Sequence, residues 1–416
     1  MPEEWRRVTV ADVAEVNPEQ LGGDTPAAHE LLYLDIASVE STGHLGTPTA
    51  YQFSNAPSRA RRRVRIGDIL VSTVRPYLRS FAQVRKAAPN LVASTGFAVI
   101  RPLAPADSEF LYQHVLASDF VEFLRPRMKG GNYPAVTGSD VASYSLALPP
   151  PPERLKIATI LSSVDHAIDA SQAVIDQLQA VKKAMMAELL TKGLPGRHKK
   201  FKQTEIGIVP AEWDVVALDS LTAPERPIAY GILKPGPYVE NGVPMLRITD
   251  IKGGWVDMAG VHRVSDTLSE QYKRTLLRGG ETVISLVGTI GVVAYVEPAL
   301  KGANVHRNLG VIVPGALTDA QFLALCLDGP QFQRQVTAIT KGGNQPLLNL
   351  GDLRTLRIPL PPREEQVCMR NMMASVNDRC SRELLWLKAI TSFKSALMSV
   401  LLTGEVRVRV DEGGAA

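Results

Sequence analysis

The sequence predicts an α+β chain built twice over. It comprises two pseudo-symmetric domains, each followed by a long helix, with the two helices pairing as an antiparallel coiled coil. Three observations carry this expectation. The word Lys-Gly-Gly-Asn-x-Pro stands at positions 129–134 and again at 341–346. Shifting the chain so that Lys129 falls on Lys341 keeps the two copies in register, without a gap, from Phe110 to Thr191. A 4-3-4-3 apolar spacing ends each copy. Self-similarity at half the chain length marks a tandem duplication.

The register is dense. Phe110 and Leu111 meet Phe322 and Leu323, Asp140 meets Asp352, and Leu189, Leu190 and Thr191 meet Leu401, Leu402 and Thr403. "LPPPPE" meets "LPPREE". Upstream the match loosens: "YLDIASVE" lines up with "MLRITDIK", "GDILVSTV" with "GETVISLV", and "GFAVIRP" with "NLGVIVP". Pro2 and Trp5 resemble Pro210 and Trp213. The copies thus agree at their ends and diverge in their first two-thirds.

Each copy reads alike. Val/Ile-rich strands are expected around residues 31–40, 68–74 and 97–102. One helix is expected near 107–127, then the Gly-Gly-Asn loop and a last short strand. Prolines at 149–152 and at 359, 361 and 362 stop what precedes them and allow a new helix to start. In that helix Ile157, Leu161, Val164, Ile168, Ser171, Ile175, Leu178, Lys182, Met185 and Leu189 form a seam. Its counterpart is Met369, Met373, Val376, Cys380, Glu383, Leu387, Ile390, Lys394, Leu397 and Leu401, with polar interruptions at the same two places. A seam this long can flank its own domain; pairing of the two helices accounts better for its length. About 38 residues at ~1.5 Å each make a rod of ~57 Å.

A chain of 416 residues exceeds one ordinary core, so several domains are expected. Net charge is only +4, which excludes a globally basic surface and confines any nucleic-acid contact to local patches. Residues 1–150 hold 15 Lys+Arg and 15 Asp+Glu, yet Arg59, Arg61, Arg62, Arg63 and Arg65 crowd into one heptapeptide. Cys326, Cys368 and Cys380 form neither a disulfide framework nor a zinc pattern, which suits a reducing cytoplasm. The start "MPEEWRRVTV" is no signal peptide. No apolar run is expected to reach the length that spans a bilayer, about 20 residues.

Motifs of autonomous chemistry are missing. The sequence has no Gly-Lys dipeptide for a phosphate-binding loop, no GxGxxG and no HExxH. Asn17-Pro18 runs into Glu19 rather than into the second proline and aromatic residue with which amino-methyltransferases grip a flipped base. No catalytic residue, metal site or cofactor is therefore expected in this chain.

Binding residues are better represented. The arginine cluster leads into "GDILVSTVRPYLRS", where Arg75, Tyr77 and Arg79 follow a strand. Arginine binds guanine edges or phosphate, and tyrosine stacks or donates a hydrogen bond. The plainer alternative is a basic surface loop. The second copy has "ISLVGTIGVVAY" there, with Thr289 and no arginine, so the copies cannot read one ligand with the same groups. Its other candidates are Arg247, His306, Arg307 and Asn308. Lys129, Asn132 and Tyr133, with Lys341, Asn344 and Gln345, offer phosphate and base contacts from the repeated word. A structural role for that word is also open: Gly-Gly ending a helix and Asn-x-Pro turning into the last strand.

The junction "FKQTEIGIVPAEWDVVAL" resembles the opening of the second recognition domain in type I restriction-modification specificity subunits. "IPLPPREEQ" at 358–366 matches the family's terminal pattern, and "LALPPPPERLKIATIL" from Leu146 matches it less fully, Glu153-Arg154 replacing Glu-Gln. The resemblance covers essentially the whole chain. It implies a first target-recognition domain over 1–152, a spacer helix over 153–192 and a linker over 193–212. A second recognition domain over 213–362, a second spacer helix over 363–403 and a tail over 404–416 follow. It further implies a non-catalytic DNA reader, each domain taking half of a split, asymmetric site in the major groove while the helices set the gap. Two methyltransferase subunits with S-adenosylmethionine, and restriction-translocase subunits with ATP and Mg, are the implied partners. A coiled-coil scaffold with two protein-binding domains is the alternative.

Overall fold

The computed structural model describes residues 4–39, 43–340 and 347–410. The chain divides into two compact units, Met1–Val174 with Glu383–Ala416, and Ile175–Arg382. The long helices are Pro151–Lys192 and Arg363–Leu401. Each gives its first part to one unit and its last part to the other.

In the first unit, strand Ile69–Ser72 (ILVS) is buried throughout, as a continuous apolar run dictates. It lies in an antiparallel sheet of order Ala14–Val16, Phe97–Pro102, Ile69–Ser72, Phe81–Gln83. A second sheet runs Thr49–Gln52, Glu30–Leu34, Leu91–Ser94, Ala60–Arg63, its central pair parallel. Strand Arg6–Thr9 pairs with Ser145–Leu148, so the chain's start and the end of the domain lie side by side.

The second unit repeats the order of the antiparallel sheet where the sequences scarcely match, and its companion sheet has three strands in place of four. Its antiparallel sheet is Ala229–Tyr230, Leu309–Ile312, Thr282–Ser285, Val293–Tyr295. The companion sheet again holds a parallel pair, Val243–Leu246 with Asn304–Val305. Asp214–Ala217 pairs with Arg357–Leu360, as in the first unit.

Two local expectations are corrected. The helix expected near 107–127 is two helices, Ser108–Leu116 and Ser118–Leu124, broken where Ala117 is extended at φ −65°, ψ 149°. The counterpart break falls at Gly329, φ −68°, ψ 150°, before Pro330, which cannot continue a helix interior. Gly-Gly in the first copy does not end a helix. A 3-10 turn, Arg125–Arg127, ends first; then Lys129 and Ala135 each donate a backbone hydrogen bond to the other, both 2.9 Å. Gly130, at φ 101°, makes the left-handed turn inside that closed loop. The second copy of the word lies outside the described residues.

Every residue of both helical seams is buried or half-buried. In the first unit Ile157, Ala158 and Leu161 share a core with Met398, Leu401 and Leu402. Lys394, a polar seam residue, pairs there with Asp165 at 2.5 Å. In the second unit Met186, Leu189 and Leu190 share a core with Met369 and Met373. These are equivalent positions of the two copies. The helix Arg363–Leu401 does carry an 18-residue window of mean hydropathy 1.3, long and apolar enough by composition to cross a membrane. That corrects the expectation of no such run; its seam residues Ile390 and Leu401, with Met398 beside them, are buried within the described structure.

The head of each long helix carries a buried glutamate. In the first unit Glu153 accepts from Trp5 Nε1 at 3.0 Å and from Arg407 Nε at 2.6 Å and Nη2 at 2.9 Å. In the second, Glu365 accepts from Trp213 Nε1 at 3.3 Å and from Leu194 N at 3.1 Å. His198 Nε2 lies 2.8 Å from it, and Arg197 Nε 3.6 Å. The indoles are nearly inaccessible, and the cation in each unit follows the last turn of the other long helix.

Glu365→Ala leaves the buried indole, His198 and Leu194 N–H without an acceptor, and a loss of about 3 kcal/mol is expected in urea unfolding. A loss under about 1 kcal/mol would contradict this assignment. His114 is buried with Nε2 unpartnered and its ring 4.8 Å from Phe110; burial holds its pKa at about 3 against an ordinary 6.5. The unfolded chain takes up that proton below ~6.5 and the folded chain does not until ~3, so stability falls across that window, by about 2 kcal/mol at pH ~5. His114→Leu should flatten the decline measured by thermal melts between those pH values.

Candidate nucleic-acid interface

The first unit builds its candidate surface where strand Ile69–Ser72 ends. Ser72 Oγ donates to Val74 O at 2.7 Å, turning the chain into a loop over residues 73–79. Thr73 N and Oγ1 both donate to Gly96 O at 2.8 Å, and Thr95 N donates to Arg59 O at 2.8 Å. The turn at 94–96 thus brings the Arg75 loop and the start of the arginine strand to one end of the two sheets. The Lys-Gly-Gly-Asn-Tyr-Pro loop joins them: Arg75 N donates to Pro134 O at 2.8 Å and Val136 N to Thr73 O at 2.9 Å.

Within that assembly the sequence candidates part company. Arg75 Nη2 donates to Asn132 O at 2.8 Å, and its guanidinium lies 4.6 Å from the centroid of the Tyr133 ring. Tyr133 is 70% exposed, and Tyr77 on the facing loop 40%. Lys129 and Asn132 are exposed. Arg79 is a structural tie: Nη1 donates to Leu116 O at 3.0 Å and Nη2 to Ser118 Oγ at 3.2 Å, bridging the helix break at Ala117.

The five clustered arginines split likewise. Arg61 lies over Phe53 at 4.5 Å. Arg62 donates to Gln20 at 3.4 Å with its Nε buried, and burial lowers its pKa. Arg65 pairs with Glu19, which also takes Arg101 Nη1 at 2.7 Å. Among the described residues no side-chain partner holds Arg59 or Arg63, and both are exposed. These two are the cations available to phosphate.

The second unit is built differently at the same place. Its loop after strand Thr282–Ser285 is held by Ser285 Oγ, which donates to Thr289 O at 2.5 Å and accepts from Val292 N at 2.8 Å. Thr289 is exposed on that loop. Arg247 is taken up by Asp250, at 3.1 and 2.9 Å, and by Gly260 O at 3.2 Å, so it braces its own turn. His306 Nδ1 accepts from Asn308 N at 3.3 Å, which leaves Nε2 carrying the ring proton. Burial first, then Arg307, Arg247 and His262, lower its pKa. Arg307 is exposed. Lys341, Asn344 and Gln345 lie outside the described residues.

Residues the sequence reading passed over also stand here. Tyr230, Leu233 and Tyr238 are 48%, 45% and 58% exposed, and the Tyr238 ring meets His262 edge-on at 6.0 Å. Their signal was the aromatic-studded Gly/Pro run "AYGILKPGPY". Among the described residues no His/Cys/Asp/Glu group has the makings of a metal site.

The chain matches known proteins along most of its length. The sequence profile of the type I restriction modification DNA specificity domain matches twice, over residues 2–180 and 199–381. The MjaVIII type I restriction enzyme specificity subunit of Methanocaldococcus jannaschii is 30% identical over 295 residues, 69% of this chain and 68% of that protein. The EcoBI specificity subunit of Escherichia coli is 29% identical over 232 residues, 53% of this chain and about half, 49%, of that protein. The type I restriction-modification S subunit from M. genitalium shares the fold at a TM-score of 0.55 and 13% identity, over 96% of both chains. A chain from a structure of type I R-M complex assembly and conformational transition does so at 0.58 and 22%, over 98% of this chain and 99% of that one. With both halves matched and one such relative at this identity, the chain belongs to the type I restriction-modification DNA specificity family.

Proposed function

We propose that this chain is the non-catalytic, sequence-reading subunit of a type I restriction-modification assembly, working in the cytoplasm on duplex DNA. The observation that carries the reading is the double match to the specificity domain, on two units of one topology whose loop tips carry different side chains. Two like frames with unlike tips suit a bipartite site with unequal halves. In the first unit the exposed Arg59 and Arg63 supply phosphate contact, and the Arg75–Tyr133 tip faces bases. In the second, Thr289, His306 and Arg307 take that part, with Lys341, Asn344 and Gln345 from the repeated word.

The long helices pair as an antiparallel coiled coil and set the gap between half-sites. The buried and half-buried seam residues, the Asp165–Lys394 ion pair and the shared cores within each unit support that arrangement. The helix Pro151–Lys192 has 42 residues. At about 1.5 Å per residue a helix of that length spans roughly 63 Å. One turn of B-DNA is shorter, about 34 Å. Methyltransferase subunits dock on this retained frame and supply S-adenosylmethionine chemistry at adenine; restriction-translocase subunits supply ATP and Mg chemistry.

Sequencing methylated genomic DNA from cells with and without this chain, partners present, tests the reading. A single motif with two unequal halves and a fixed gap is expected only with the chain; no chain-dependent motif would refute it. Inserting one heptad at matched points of both helices should lengthen the gap with both halves unchanged. Arg63→Ala should weaken binding to all duplexes alike and lower the salt slope of the complex by about one; a change of sequence preference would assign Arg63 to base reading instead.

A further inference from the structure

We propose that Arg75 is a positioning residue, and that the side chain it positions, Tyr133, reads bases for the first domain. The inference rests on the DNA-reading function proposed above. It begins with a backbone anomaly. Arg75 is left-handed, φ 48° and ψ 55°, three positions beyond strand Ile69–Ser72. The residue three beyond the matched strand Thr282–Ser285 is Gly288, φ 78°. Later in the same loops Arg79, φ 55°, stands where the second unit has Gly291, φ 83°. Glycine enters this region freely, and a residue with a Cβ does so under strain. The first domain therefore keeps arginine where the fold itself asks only for glycine.

What the arginine does there is visible. Its guanidinium is turned to the neighbouring loop: Nη2 on Asn132 O at 2.8 Å, the plane 4.6 Å from the Tyr133 centroid, Nε buried. Its own N–H donates to Pro134 O at 2.8 Å. With Lys129 and Ala135 closing the base of that loop, the tip is tied at three points. Arg75 is thus engaged within the protein, whereas Tyr133 is 70% exposed, one ring face backed by a cation and its rim open. A tyrosine held this way offers a hydroxyl that donates or accepts and an apolar edge for a thymine methyl, at little cost in side-chain freedom on binding. The second copy has Gln345 at the position matching Tyr133 and Gly288 in place of the arginine, so the device belongs to the first half-site alone.

The test uses the chain assembled with its methyltransferase partners on a duplex library randomised at both half-sites, comparing wild type, Arg75→Gly, Arg75→Lys, Tyr133→Phe and Tyr133→Ala. Arg75→Gly removes the backbone strain, so its melting temperature should hold or rise. It should nonetheless lose about tenfold discrimination at one or two base pairs of the first half-site, leaving the second intact. Tyr133→Ala should lose the same base pairs, the double variant no more than either, and Arg75→Lys, lacking the planar stack, should not rescue. Tyr133→Phe separates ring from hydroxyl: a loss at those base pairs assigns the contact to the hydroxyl, retention to the ring. Unchanged discrimination in Arg75→Gly, loss at both halves, or different base pairs for Arg75→Gly and Tyr133→Ala would overturn the proposal; the last would make Arg75 the reader. A wild-type assembly with no sequence preference would instead remove the underlying DNA-reading function.

Discussion

The buried glutamate at the head of each long helix is the contact on which the rest of the structure depends. Glu153 and Glu365 are almost inaccessible, and a carboxylate in that setting is tolerated only when fully paired. Each is paired by an indole from the start of its own domain and by an arginine that follows the last turn of the other helix. One side chain thereby fixes where a domain begins, where its helix begins and where the other helix stops. The two clamps differ in chemistry, Arg407 alone in one and Arg197 with the His198 imidazole in the other, so duplication kept the geometry and let the partners drift.

The same division runs through each unit. The order of the antiparallel sheet, a parallel pair in its companion and the helix break at Ala117 and Gly329 are common to both. The tips are not. One carries two strained arginines, of which Arg75 straps a tyrosine, the other glycines and a hydroxyl-braced turn. A left-handed non-glycine residue costs about 1 kcal/mol or more, and cores alone do not explain its retention. Frames that hold and tips that vary are what two unlike half-sites require of a single chain.

Much of this was legible in the sequence because its physics is local. The 4-3-4-3 spacing marked a face that is buried or half-buried at every position, and "GDILV" read as a buried strand because nothing in it is polar after Asp68. The helix break was not legible in the first copy, where nothing about Ala117 forbids a helix and the turn is held from afar by Arg79; only Gly329-Pro330 of the second copy marks it. Nor was the fate of the arginines. Arg61, Arg62, Arg65 and Arg247 read as free cations, but Phe53, Gln20, Glu19 and Asp250 claim them from residues that only the fold brings near or that a turn folds back. Composition supplies charges, and tertiary structure decides which remain available.

The central claim is that each unit reads its own half of a DNA site on a shared frame. It is tested most directly by replacing the strand-rich region of the first unit with that of the second, both clamps and both long helices retained, and sequencing the methylation the assembled complex leaves. The account expects a motif with two identical, inverted halves, both the former second half, at the original gap. An unchanged asymmetric motif from a folded, assembled chimera would contradict it.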